Sequence, residues 1–487
     1  MPVHFLASAV SSTVPTEYWA SIAAGMFAIS FLKTWSRGAK LLDPPTRNVS
    51  AAQHQAQFND LHGRVVMVAS GAFTPLGVVT ISALAHRGAQ IIALTEHIDA
   101  QDTLQLIHLL RDSTQNELIY AEQCDIGSLE DITRFTSQWN EGDKKQAEGI
   151  RRLDSLIFLP PSREQIQHMA PELAASVYNA HVRGKFHMIN SMLSSLLLLP
   201  PDREIRIVSC LSPFYAAGLT HFDSIALPSS SQRSASFSVL TGAASLRWYA
   251  LSVELQRRLN LLAEADPRPR TKLPGIDVDQ ATKSPMPKSD TLLQHQHGRT
   301  SNIVLLNVCP GFERNADVID TFLPLSSSST TVSVFYQLKQ WLRVLVLLVL
   351  WPFVWLLSKS PATAAESVVW ISTKKLESQS EFIARLQRRK SQPSQTQSTQ
   401  SPSKGGLVDD EQDDVVRWDD PLLPTELYRE ARIVRPRLPD RFSTPPPSPP
   451  KNNKDQESPF SILFTEEEKL VEAAIKAKGG KIRRPKI

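Results

Sequence analysis

The sequence predicts an α/β fold, a doubly wound parallel sheet with helices on both faces, over residues 60–322. Two observations predict it. Short apolar runs recur at residues 64–69, 90–94, 117–121, 153–159, 205–210 and 302–308, with the near-continuous hydrophobicity of strands buried on both faces. Long amphipathic segments at 76–86, 130–139, 169–199 (in two parts) and 240–262 lie between them. Strands alternating with helices read as right-handed crossovers between parallel neighbours.

The first run, Arg-Val-Val-Met-Val-Ala, enters a turn and then a helix, so that turn sits at the carboxyl edge of the sheet. The third and fourth runs are likewise followed by helical segments, and so is the fifth, Ile-Arg-Ile-Val-Ser-Cys; the sixth is Asn-Ile-Val-Leu-Leu-Asn-Val. Two polar insertions interrupt the spacing, at 217–236 and 264–299, both rich in Ser, Pro, Gln or Lys and read as mobile. Beyond residue 358 one helix is expected at 363–375. Residues 376–464 read as a disordered linker, because Pro-rich polar stretches at 391–404 and 443–459 bury too little apolar surface to offset ordering entropy. Thr465 and Glu468 suggest a capping box opening a helix at 466–478 within a terminal segment, 465–487.

Two apolar segments stand outside the sheet pattern. Residues 18–32, within an N-terminal segment 1–47, are interrupted only by Ser21 and Ser30 and followed by Lys33, Arg37 and Lys40. They read as a membrane anchor whose positive flank leaves the globular part facing the cytosol. A buried core helix is the other reading. Residues 344–357, in a stretch 335–375, carry Trp341, Trp351 and Trp355 and contain Pro352. They suit an in-plane or re-entrant membrane helix, with a helix packed on the core as the alternative. The implied membrane is that of the endoplasmic reticulum, a lipid droplet or the mitochondrial outer surface.

Composition narrows the function. Net charge is +4, and six basic groups (Lys476, Lys478, Lys481, Arg483, Arg484, Lys486) gather at the end of the chain, leaving the core near neutral. That pattern argues against nucleic acid and allows an anionic membrane surface or an acidic protein partner bound through the tail. Cys124, Cys210 and Cys309 have neither disulfide-framework nor zinc spacing, so they read as reduced, buried small hydrophobes, with no metal site.

The motifs lie at the predicted carboxyl edge. Val68-Ala-Ser-Gly-Ala-Phe-Thr-Pro-Leu-Gly77 joins strand to helix, with Ser70, Gly71 and Gly77 arranged as in a phosphate-cradling turn and Pro75 in place of a middle glycine. A plain strand–turn–helix connection, with Pro75 as a first-turn residue, is the other reading. Glu96 ends the second strand, and Asp125 follows the third. Ser212 follows the fifth, and Cys309-Pro310-Gly311-Phe312 the sixth.

In this order the elements and motifs resemble the short-chain dehydrogenase/reductase family, over a little more than half the chain. Residues Pro361–Ser367 loosely resemble a Pro-x-Glu-Gly-Ala stretch of retinol-dehydrogenase-like members, here of a fungal type with a long disordered tail. The resemblance implies a Rossmann-type sheet and an NAD or NADP cofactor. Ser70, Gly71, Gly77, Glu96, Asp125, Pro310 and Gly311 would line the cofactor, with Glu96 favouring NAD. It also implies a Tyr-x-x-x-Lys pair for proton transfer, and here the chain departs. None of its seven tyrosines has a lysine four residues later, and Phe237 and Thr241 occupy the corresponding positions. The asparagine of the family's proton relay is matched by His181. Two functions are therefore carried forward. One is a membrane-anchored, catalytically degenerate binding or scaffold protein that keeps a dinucleotide or a lipophilic ligand. The other is an active oxidoreductase of lipophilic alcohols or carbonyls using Tyr215 or His181 beside Ser212.

Overall fold

The structure is a computed structural model that describes residues 19–38, 40–42, 58–142, 151–163, 165–166, 173–199, 203–226, 236–265, 301–314, 334–376, 422–443 and 458–477. Tyr18, most of the two predicted insertions and residues 377–421 lie outside them. The chain divides into two compact units, residues 41–310 with 365–487 and residues 1–40 with 311–364.

The larger unit holds the predicted sheet. Its strands are β1 (Val65–Ser70), β2 (Gln90–Thr95), β3 (Ile119–Gln123), β4 (Ser155–Phe158), β5 (Ile205–Cys210) and β6 (Ile303–Val308). All six are parallel, in the order β3-β2-β1-β4-β5-β6, which reverses at β1/β4. Their carboxyl ends therefore open a crevice beside β1 and β4, the place where doubly wound sheets bind ligands. Strands β4, β5 and β6 are buried at every position, as their near-continuous apolar runs predict, and Ser155, Arg206, Ser209 and Asn307 are buried with them. The helices are α2 (Pro75–Ala85), α3 (Gln101–Thr114), α4 (Leu129–Glu141), α5 (Leu173–Tyr178), α6 (Gly184–Leu198) and α7 (Phe237–Ala265). A π-helical turn, Asn179–Arg183, joins α5 to α6. Gly184 follows it, and a Cβ there would lie 2.0 Å from the Ile126 carbonyl oxygen, so the kinked helix rests directly on the turn after β3.

Three features depart from the sequence reading. Inside the stretch read as a linker, two strands of three residues, Leu427–Arg429 (β7) and Arg432–Val434 (β8), extend the sheet beyond β6. Tyr428 of β7 is buried against Trp370, and its hydroxyl bonds the Leu423 N–H at 2.6 Å. Part of the insertion at 217–236 is ordered as 3₁₀ turns, Tyr215–His221 and Ser224–Ala226. The final helix begins at Pro459, not at 466. Ser458 Oγ accepts the Ser461 N–H at 3.2 Å, and proline fits the first turn, so the cap lies seven residues before Thr465.

That helix (α11, Pro459–Ala477, after α10 at Asp440–Ser443) packs on α4 and α7 and covers Tyr178 of α5 and Phe186 of α6. Leu463, Phe464, Val471 and Ile475 enter the core, and Phe464 meets Phe186 edge-on at 4.9 Å. At its centre Glu467 is wholly buried. It accepts a hydrogen bond from the Tyr178 hydroxyl and lies 3.6 Å from Arg183 Nε and 3.7 Å from Arg247 Nη2. Burial, then the Glu467 carboxylate, pushes the Tyr178 phenol well above its ordinary pKa, so it stays a donor.

The smaller unit contains α1 (Trp19–Arg37) and α8 (Val334–Leu357), which pack together. Lys33 Nζ donates to the Trp355 and Ser358 carbonyls and lies 4.5 Å over the Trp355 ring, closing the α8 C-terminus with a cation. The pair leaves a broad apolar surface open: Phe27 is 75% exposed, Trp341 75% and Leu348 72%. The span expected at 18–32 is not met as such. Among the described residues no helix is long and apolar enough to cross a membrane. The next helix, α9, runs Pro361–Thr373.

Candidate functional site

At the carboxyl edge the turn after β1 is tied to β4. A register shift between Val68 and Ser70 marks a bulge, after which Ser70 still pairs with Phe158 of β4. Ser70 Oγ donates to the Leu159 carbonyl at 2.6 Å, so this hydroxyl is spent on structure. Gly71 takes φ +63, and a Cβ there would lie 2.5 Å from the Pro160 oxygen. At Gly77 it would lie 2.1 Å from the Gly71 oxygen. The two matched glycines are thus required by close backbone approach.

Dinucleotide binding needs N–H groups free at the start of α2. Thr74 caps that helix: its Oγ1 accepts the Gly77 N–H at 3.2 Å and donates to the Gly71 carbonyl at 2.7 Å. Pro75 carries no N–H, leaving Leu76 as the first-turn amide available to a phosphate. The turn as folded satisfies itself and fits a pyrophosphate poorly. Asp125 Oδ1 accepts the Gly127 N–H at 2.7 Å, and the Glu96 carbonyl accepts from Gln123 Nε2 at 3.2 Å. After β6, Pro310 precedes Gly311, which adopts φ +92.

Ser212 follows β5, and α7 faces it. Its N–H bonds Ser245 Oγ at 2.9 Å, and its Oγ lies 3.4 Å from Thr241 Oγ1. Phe237 lies one turn earlier, 5.5 Å under the Arg163 guanidinium. Neither Thr241 nor Phe237 titrates near neutrality. Tyr215 meets Ser212 only through its backbone N–H, 3.2 Å from the Ser212 carbonyl; no described hydrogen bond joins the two side chains. The structure therefore brings together Ser212 with Thr241, and Ser70 and Gly71 with the end of β4, and among the described hydrogen bonds none joins the Tyr215 hydroxyl to Ser212.

His181 sits in the π-helical turn, a distortion frequent at functional sites. It is fully buried, and its Nε2 has no hydrogen-bond partner. Desolvation, then the nearby Lys185 charge, pushes its pKa down to about 3. A proton shuttle working near neutrality needs a higher value, so His181 acts there as a neutral ring.

Sequence reading misses Lys185. One turn after His181, it is only 1% exposed, with Nζ 5.8 Å from the Phe158 ring and 5.7 Å from the Trp248 ring. It lies among residues from the ends of β4 and β5 and from α7. Burial lowers its pKa to about 8, with Cys210 opposing slightly. Its only sequence signal is a charge on a helix that otherwise reads as apolar (Gly-Lys-Phe-His-Met-Ile). None of the three cysteines is in a disulfide and all are buried, and desolvation raises Cys124 to about 12, so its thiol is inert. Among the described residues no group of three His, Cys, Asp or Glu is placed to hold a metal.

No protein-family model matches the chain. An uncharacterised oxidoreductase of Saccharomyces cerevisiae is 28% identical over 222 residues, 43% of this chain and 49% of the relative. One from Schizosaccharomyces pombe is 29% identical over 172 residues, 34% of this chain and 44% of the relative. The chain thus spans about half the length of these curated relatives. Among solved structures, a short chain dehydrogenase from Shigella flexneri aligns at a TM-score of 0.35 with 15% identity, covering 64% of this chain and 86% of its own. An oxidoreductase from E. coli aligns at a TM-score of 0.35 with 15% identity, covering 64% and 91%. Scores at this level add nothing to the strand order already described. In its strand order, its Ser-Gly turn after β1 and Ser212 after β5 the chain resembles the short-chain dehydrogenases/reductases, and over less than half its length it is similar to two yeast oxidoreductases.

Proposed function

We propose that this protein is a catalytically degenerate oxidoreductase-like module seated on a membrane surface, where it binds a lipophilic ligand or a protein partner. One observation carries the reading: the groups facing Ser212 from α7 are Thr241 and Ser245, and neither can supply a proton near neutral pH. General acid–base catalysis is typically worth about 10²–10⁴-fold, so its loss leaves little hydride transfer. The self-capped turn at Thr74 and Pro75 supports weak dinucleotide binding, NAD or NADP alike. Titrating the full-length protein with NADH and NADPH by ligand fluorescence tests this. Half-saturation is expected only at high micromolar concentration or above, with tighter binding once Pro75→Gly restores an amide. Tight binding by the wild type, unimproved by Pro75→Gly, contradicts the reading.

Membrane seating is supported by the exposed apolar faces of α1 and α8, with tryptophans at 341, 351 and 355. We infer a monotopic pair lying in one leaflet. Full-length protein is expected to float with uncharged liposomes, and deletion of residues 1–40 to reduce recovery sharply. Equal recovery after deletion would count against α1.

A second reading, an active enzyme on lipophilic carbonyls, is favoured by Lys185. A buried ammonium near the end of β5 could stand in for the missing lysine. Under that reading Lys185→Met abolishes turnover and moves its pH profile.

A further inference from the structure

The opposite edge of the sheet carries a site that the functional reading does not use. Where β1, β4 and β5 begin, a small cavity is lined by Asn59, Arg64, Asp154, Ser155, Arg206 and Ser372, among others. It admits a group about the size of a water molecule or a halide.

Arg206, on β5, is 3% exposed. Its Nε engages Glu204, and its Nη1 donates to the Ile371 carbonyl at 2.8 Å. Its Nη2 is buried with no hydrogen-bond partner, and so is Ser155 Oγ. Such orphan donors each cost free energy unless something accepts from them. Arg64, half-buried, lines the same cavity, and among the described residues its guanidinium has no recorded bond.

The local charges favour a negative guest. Asp154, the one carboxylate in the lining, is already neutralised: both its oxygens engage Arg203, and Oδ2 also accepts the Val65 N–H at 2.8 Å. Glu204 is paired with Arg206. Burial lowers the Arg206 pKa, Glu204 opposes, and the Arg64 charge pushes it lower still. Two guanidiniums that repel beside one cavity, with orphan donors on two of its lining residues, are relieved by an anion. Water could accept the hydrogen bonds but would leave the repulsion.

We propose that this cavity is a small-anion site, in which one chloride-sized anion sits between Arg206 Nη2, Arg64 and Ser155 Oγ and ties together the amino ends of β1, β4 and β5.

Thermal unfolding of the full-length protein in uncharged detergent tests the proposal, at constant ionic strength with gluconate replaced stepwise by chloride. An anion that binds only the folded state is expected to raise the midpoint by a few degrees, saturably. Arg64→Gln, which removes no recorded side-chain bond, should fold normally and lose the rise; Ser155→Ala should reduce it. Chloride-35 line broadening, present in wild type and lost in Arg64→Gln, gives a second readout independent of stability. Phosphate is too large and should give no rise. Equal midpoints in gluconate and chloride would mean a water-filled cavity and overturn the proposal. An undiminished rise in Arg64→Gln, or a rise with phosphate alone, would overturn it too.

Discussion

Replacing Glu467 by alanine is expected to destabilise the larger unit by about 3–5 kcal/mol, the usual cost of breaking a buried ion pair by removing one partner. The carboxylate is wholly buried, and the variant would strand Arg247, whose side chain is 4% exposed, beside Arg183 and an unbonded Tyr178 hydroxyl. At 3.6 and 3.7 Å the arginine contacts are electrostatic, not well-formed hydrogen bonds, and Arg183 Nε, Arg247 Nε and Glu467 Oε1 lack partners. The ensemble is therefore a costly arrangement that needs every charge present. Glu467→Leu combined with Arg247→Met should recover most of the loss, since replacing a buried pair with apolar groups is often neutral or stabilising. Urea unfolding of both variants checks this. A single variant as stable as wild type would mean that α11 is not held by this contact.

Acid should unfold the protein through its buried histidines. Desolvation pushes His181 down to about 3 and His187 down to about 4, from an ordinary 6.5. Folded-state values below the unfolded one mean that the unfolded chain binds more protons between them. The stability is thus fully present above pH 6.5 and lost as pH falls toward the folded values. For His181 the loss totals roughly 5 kcal/mol by pH 3, at 1.36 kcal/mol per unit. His181→Leu should remove that share of the acid slope. Lys185 acts in another window, with its folded value lowered from 10.5 to about 8. Below pH 8 the folded state bears a constant penalty of roughly 3 kcal/mol, and stability rises with pH between 8 and 10.5. Lys185→Met should stabilise the protein at pH 7 by about that amount and flatten the alkaline rise. Denaturant midpoints from pH 4.5 to 10 measure both effects; an unchanged midpoint for Lys185→Met at pH 7 would show the ammonium to be well solvated.

The parallel sheet was legible because its strands are buried on both faces, and that burial is written locally as apolar runs such as residues 205–210. Strands β7 and β8 were not, since three residues such as Leu-Tyr-Arg carry no periodicity and pair only because β6 offers an edge. The final helix was legible in kind but not in register: Ser458-Pro459 is an equally good start, and Thr465 turns out to bond the Ser461 carbonyl inside the helix. At the site, the absence of Tyr-x-x-x-Lys could be read directly, because it is a property of spacing alone. That Thr241 lies against Ser212, that no described hydrogen bond joins the Tyr215 and Ser212 side chains and that Lys185 is interior are properties of packing between distant segments. No local signal marks them.

The most direct test of the degenerate-oxidoreductase account is a single-turnover label transfer. Full-length protein in excess is mixed with deuteride-labelled NADH or NADPH and a panel of retinoid, steroid and long-chain carbonyls, and the alcohols are analysed by mass spectrometry for incorporated deuterium. The account predicts no label above the protein-free blank with either cofactor. Deuterated product that disappears in Lys185→Met or Tyr215→Phe, while surviving Phe237→Ala, would contradict it and establish a relocated proton donor.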